Sequence, residues 1–251
     1  MKNHFYLDGW GPGRCAVQAS SLLLPADLKE AHMAIREDFR RARSESEKEA
    51  RRNEILDAAE ALLLESGNER FAIAALADNV GVSKSTIFLY FANKEELLLA
   101  LYERAFIRTF TQLGERLEPG MSGRAFCEAF IDSLVDHPAM LILRAYLAQT
   151  IERNVALESL VSTKTRLFEH GSAISEKLER VMELEPGWGV RMLMALVNLT
   201  SGAVQADSLP YIDADMLPEE LADFMHTASF RNIVLSGAEL IFRGATGRPF
   251  D

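Results

Sequence analysis

The chain has 251 residues, 48 % hydrophobic and 25 % charged, a balance that supports a folded core and excludes the polar, charge-rich composition of a disordered protein. Its 27 Lys plus Arg against 37 Asp plus Glu leave a net charge of −10, which excludes general coating of nucleic acid or anionic membrane and requires any anionic partner to be met locally. The two distant cysteines, Cys15 and Cys127, supply neither a disulfide framework nor a zinc spacing, and no run approaches the roughly 18 apolar residues of a membrane span. The amino-terminal region, interrupted by Asp8 and greasy only at SLLLP, fits a signal peptide poorly, so a reduced, cytosolic protein is expected.

In chain order, residues 1–43 form an extension unlike the rest. GWGPGR at 9–14 is turn chemistry, and PADLKEAHMAIREDFRRAR at 25–43 is helix-compatible with a ragged apolar face. Met33 is an alternative initiator, and no function is assigned upstream of Arg40. SEKE at 46–49 has the form of a capping box opening a helix that carries Ile55, Leu56, Ala59, Leu62 and Leu63 and stops at Gly67. A shorter helix follows through Ile73, Leu76, Ala77 and Val80 and ends at Gly81. Ser83 then caps a third helix with Ile87 and Phe91 inward. The break between these two is so short that they must cross steeply, as in a helix-turn-helix. Asn93 caps a fourth helix, with Glu96 expected to complete a second capping box.

Beyond residue 106 the pattern continues as long helices broken at LEPGMSG, at Asp136, His137 and Pro138, at ELEPGWG and at SLPYIDADMLP. No convincing strand appears. The expected fold is all-α, with a three-helix helix-turn-helix domain over 44–105 and a second helical domain over 106–251.

The chemistry concentrates in VGVSKSTIFLYFANK, residues 80–94, which contains no acid. A helix entering the DNA major groove needs small or polar residues on its exposed face and groups that grip phosphate. Ser83, Lys84 and Ser85 occupy the first turn, where free N–H groups favour an anion. Thr86 and Tyr90 share a face at i and i+4 with their hydroxyls available to phosphate. Phe88 suits a thymine methyl, Leu89 adds to an apolar reading face, and Lys94 offers a second phosphate anchor. Residues 1–104 hold 14 Lys plus Arg against 17 acids, and the remainder 13 against 20, so neither half is basic overall. Arg40, Arg41, Arg43, Arg51 and Arg52 supply either an arm for DNA or a solvated helix start.

From about residue 51 to 104 the sequence resembles the N-terminal domain of the TetR (tetracycline-repressor-like) family of bacterial transcriptional regulators. The resemblance rests on ILDAAEALLLESG and IAALADNVGVSKSTIFLYFANKEELL, above all the spacing from Gly81 through Tyr90 and Phe91 to Lys94. It implies a homodimeric, cytoplasmic repressor released from a palindromic operator in double-stranded DNA by a partly apolar small molecule. Departures from the family pattern are Ala72 where a hydroxyl is common, Phe88 for Tyr, Leu89 for a frequent His and Ser85 for a frequent Gly. They imply a greasier reading face and a weaker grip on phosphate. A second reading is a degenerate member that senses ligand or binds protein without specific DNA binding.

By the same resemblance, helices near 188–206 and 218–243 would form a four-helix dimer interface through Leu193, Leu196, Val197, Thr200, Val204, Phe224, Ala228, Leu235 and Ala238. Such a dimer holds two recognition helices about 34–36 Å apart. Phe126, Phe130, Tyr146, Phe168, Met182, Met192 and Met194 are candidates for an apolar effector cavity. Arg144, Tyr146, Gln149, His170 and Asn198 are its candidate polar contacts. No GxSxG, HExxH, Walker or dinucleotide glycine pattern occurs, and the five histidines show no metal spacing. No enzyme activity, metal or cofactor is expected.

Overall fold

The computed structural model describes the backbone at residues 26–207, 217–218, 220–221 and 229–251, and side chains from residue 45 within those ranges except 206 and 207. The turn at 9–14, most of the SLPYIDADMLP link, the side chains of Arg40, Arg41 and Arg43, and the candidate interface residues Phe224 and Ala228 lie outside the described residues. Residues 1–49 and 50–251 are separate compact units. Every described regular element is helical: α1 Ala26–Arg70, α2 Ile73–Val80, α3 Lys84–Phe88, α4 Lys94–Arg116, α5 Gly123–Val135, α6 Pro138–Tyr146, a π turn Leu147–Ile151, α7 Leu157–Met182, α8 Trp188–Asp207 and α9 Phe230–Thr246.

The expected start at Ser46 is corrected, because Ser46 lies inside α1; the preceding run contains no glycine or proline to stop it. Gly67 does interrupt the helix as expected, with a φ of 70° and ψ of 169° that only glycine adopts easily. Ile55, Leu56, Ala59, Leu62 and Leu63 are all buried, as are Leu76, Ala77, Ile87 and Phe91. The 3.6-residue apolar period therefore identifies the inner face of each of these helices.

α4 is the central element and packs on α5, α6, α7 and the π turn. Its apolar residues Leu97, Leu98, Leu101, Phe110 and Leu113 are buried. It is tied to α1 by the half-buried Arg104, which donates to Asp57, to Glu60 and to the Leu56 carbonyl, each at 2.7 Å. Cys127 sits in the core, where burial pushes its thiol up to about 12. It is a packing group and not a nucleophile.

The breaks expected at LEPGMSG, at Asp136 to Pro138 and at ELEPGWG separate α4 from α5, α5 from α6 and α7 from α8. A further break was not anticipated. α6 runs into the π turn, where the Glu152 N–H reaches the Leu147 carbonyl at 2.9 Å, and α7 begins only at Leu157. No glycine or proline marks this place. Asn154 Nδ2 donates to the Thr150 carbonyl at 2.7 Å, a side-chain competitor for the helix ladder that sequence period does not reveal.

α8 packs most extensively on α9, and four expected interface residues are corrected by that packing. Leu193, Leu196, Thr200 and Ala238 are between 1 % and 4 % exposed within one chain, so no area remains for a partner to cover. Val197, Val204 and Leu235 are half-buried, while Gly202, Leu240 and Gly244 are exposed. The outward stripe thus keeps Val197, Val204 and Leu235 of the expected residues and adds Gly202, Leu240 and Gly244.

Candidate nucleic-acid interface and effector cavity

The helix-turn-helix is built from α2 and α3. Gly81 closes α2 in the left-handed conformation, with φ 71° and ψ 35°, and the Val82 N–H returns to the Ala77 carbonyl at 2.9 Å. Ser83 then caps α3, its Oγ accepting the Thr86 N–H at 3.2 Å. The same Oγ lies 2.7 Å from Ser85 Oγ and 2.9 Å from Thr86 Oγ1. These three hydroxyls are bonded to one another in the free chain. Helical bonding continues past Phe88, with the Tyr90 N–H on the Ile87 carbonyl at 3.0 Å.

Of the expected DNA contacts, Ser83, Lys84 and Ser85 are exposed, as are Phe88 at 46 % and Leu89 at 82 %. Thr86 and Tyr90 are half-buried. Phe88 and Leu89 are neighbours in sequence and both expose apolar surface at the helix tip. Lys94 is placed differently from the free anchor expected: its ammonium donates to the Phe71 carbonyl at 2.9 Å and lies 5.5 Å from the Phe71 ring centre. It fixes the end of α1 to the start of α4, and a phosphate would have to share its remaining donors. Ala72 gives α2 no side-chain cap, in keeping with the missing hydroxyl. The Arg52 guanidinium covers the Phe91 ring at 5.1 Å.

Asn93 caps α4 as expected, accepting the Glu96 N–H at 2.7 Å. The reciprocal half of the capping box is corrected. Glu96 Oε1 instead accepts the Ala156 N–H at 2.9 Å, and Asn93 Nδ2 donates to the Asn154 carbonyl at 2.9 Å. The start of α4, directly after α3, is therefore clamped to the segment between the π turn and α7. A contact 60 residues away in sequence leaves no local signature.

A cavity of about 240 Å³ opens between α4, α6, α7 and α8. Of the expected polar contacts it holds Arg144 and Asn198, which are bonded to each other at 3.0 Å, and of the apolar candidates Phe168 and Met194. The others lie elsewhere. Tyr146 faces a separate depression beside Glu65 and Arg70, Gln149 is exposed on the π turn, and His170 meets Thr111 at 3.3 Å. Phe126, Phe130, Met182 and Met192 fill the core. Sequence reasoning missed the α4 wall, where Tyr102, Phe106 and Phe110 form a ladder at i, i+4 and i+8, the last two rings 4.3 Å apart. That spacing was legible, but a domain boundary drawn at 105/106 cut the ladder in two.

Residues 55–101 match the family described as "Bacterial regulatory proteins, tetR family". Residues 103–246, more than half of the chain, match "Tetracyclin repressor-like, C-terminal domain". The chain belongs to the TetR family. Among TetR-type relatives it is 25 % identical over 134 residues to the fatty acid metabolism regulator protein of Bacillus subtilis (strain 168), covering 53 % of this chain and 63 % of that protein. It is 30 % identical over 141 residues to the HTH-type transcriptional repressor AcnR of Corynebacterium diphtheriae, covering 55 % of this chain and 68 % of that one. The match thus spans slightly less than two thirds of the first relative's length. A crystal structure of a transcriptional regulator from Rhodococcus sp. RHA1 shares the TetR fold with a TM-score of 0.51 at 17 % identity, over 79 % of this chain and 99 % of that one. Among the described residues no helix is long and apolar enough to cross a membrane.

Proposed function

We propose that this TetR-family chain is a ligand-responsive regulator that binds a palindromic operator as a homodimer and is released by a small molecule. The observation that carries the reading is the α3 tip, free of acids from residue 80 to 94 and presenting Ser83, Lys84, Ser85, Phe88 and Leu89 to solvent. Thr86 and Tyr90 add hydroxyls beside them. Ser83, Ser85 and Lys84 serve phosphate, while Phe88 and Leu89 meet base edges and thymine methyls. Repression is favoured over activation by likeness to the C. diphtheriae repressor. Residues 44–105 act as the DNA-binding part and 106–251 as the effector and dimer part, with Tyr102 of the first part also on the cavity wall. The dimer face uses Val197, Gly202, Val204, Leu235, Leu240 and Gly244, where small residues allow close helix approach.

Control passes along a short covalent and hydrogen-bonded route. Arg144 in the cavity lies near the end of α6, the π turn follows, and Asn154 and Ala156 grip Asn93 and Glu96 at the foot of α3. An effector favouring one arrangement of the π turn shifts the population of recognition-helix positions by its differential affinity for the two states. Glu96→Ala is expected to leave operator affinity within about threefold of wild type while cutting the ligand-induced loss of affinity by about tenfold, within the usual range of coupling energies. Operator titrations with and without saturating effector measure both quantities; a fully coupled variant would remove the clamp from the route.

Selection of bound duplexes from a random pool tests the function itself. A recovered inverted repeat that outcompetes random DNA supports the reading. Recovery of no preferred sequence rejects it in favour of a ligand-sensing or protein-interaction module.

A further inference from the structure

Among the described residues the cavity wall carries one cation, Arg144, and no carboxylate; the rest is mainly Phe106, Phe110, Leu167, Leu193 and other apolar side chains. Three guanidiniums of α4 and α7 that are not on the cavity wall are matched by acids: Arg104 by Asp57 and Glu60, Arg116 by Asp136, Arg166 by Glu103. Among the described residues Arg144 meets neutral oxygens. It donates to Asn198 Oδ1 at 3.0 Å and lies against the Tyr102 hydroxyl. The acid whose charge reaches this corner, Glu152, is paired with Lys164 at 2.5 Å. A guanidinium presents five donors in a planar fork, so bonds to an amide oxygen and a phenol oxygen leave donors for an anion. Burial pushes the Tyr102 phenol above its ordinary range, which keeps it a neutral donor beside them.

Size and rim narrow the ligand further. The cavity, about 240 Å³, is slightly below the usual size range of ligand pockets, which suits a small ligand. Phe168 and Met194, also lining it, are 70 % and 61 % exposed, an apolar rim that admits a hydrocarbon tail.

We infer that the cavity takes a small amphipathic monocarboxylic acid, a medium-chain fatty acid or an arylalkanoic acid, its carboxylate forked by Arg144 with Tyr102 and Asn198 beside it and its tail along the α4 aromatic ladder. This rests on the cavity being the effector site of the proposed regulator.

Calorimetric titration of the full-length protein with octanoate, 4-phenylbutyrate, octanol and octylamine tests it. One acid per protomer is expected to bind, with octanol about tenfold weaker or worse and octylamine not bound, as loss of a charge-assisted pair requires. Arg144→Gln is expected to weaken the acid at least tenfold and leave octanol unchanged, and Arg144→Lys, which keeps charge but loses the fork, to fall between them. Equal affinity for acid and alcohol, an Arg144→Gln variant that folds and binds acid like wild type, or binding of neither acid overturns the inference. The same samples are titrated onto selected duplex DNA. Arg144-dependent acid binding without duplex binding rejects the regulator reading alone, whereas specific duplex binding without acid binding rejects this inference alone.

Discussion

Lys84→Ala is expected to weaken operator binding by about tenfold or more near 0.1 M salt and to make the salt dependence shallower by about two units per dimer, with no change in melting temperature. Each phosphate contact releases close to one counterion, and a symmetric dimer loses two such contacts when one residue changes. The side chain is exposed at the first position of α3, so folding does not depend on it. The loss is the same for all sequences, since a phosphate contact carries no base information. Anisotropy titrations at three salt concentrations measure the slope; a wild-type slope in the variant would take Lys84 off the phosphate backbone.

Gly189→Ala is expected to lower stability by about 1–3 kcal/mol, the usual cost of forcing atoms into a packed site, or about 2–10 °C in melting temperature for a chain of this size. A Cβ on Gly189 would lie 2.4 Å from the Ser175 carbonyl oxygen and 2.9 Å from Glu179 Cγ. The first neighbour is backbone and cannot swing aside, so α7 and α8 must part. The Gly189 and Gly187 N–H groups both donate to Glu179 Oε1, at 2.9 and 2.8 Å, and the same shift strains these bonds. Ser175 and Val190 line the cavity, so the substitution also weakens ligand binding. A melt of Gly189→Ala equal to wild type would show that the two helices are not held as described.

The helix-turn-helix was legible because its signals are local. Ser83 and Asn93 cap the helices they precede, Gly81 stops α2, and Ile87 faces the core at the expected period. The departures arise where a side chain answers to a distant partner. Glu96 leaves its capping box for the Ala156 N–H, and Lys94 turns to the Phe71 carbonyl. Neither choice is encoded within a few residues of the group that makes it. Leu193, Leu196, Thr200 and Ala238 show a second limit: an apolar face satisfies its own protomer as readily as a partner, and only packing of α8 on α9 decides which. Arg144 and Asn198, polar residues on apolar helices, do lie on the cavity wall. The aromatic wall of α4 was not anticipated, since its rings also suit a core.

The central claim is that two α3 tips in one dimer read two half-sites on one face of a duplex. Inserting about five base pairs, half a helical turn, between the half-sites of a selected operator measures this directly. The regulator described here loses at least tenfold in affinity on that duplex and regains it when about ten base pairs are inserted, with two protomers bound per site. Equal affinity for all three spacings, or one protomer per site, would contradict it.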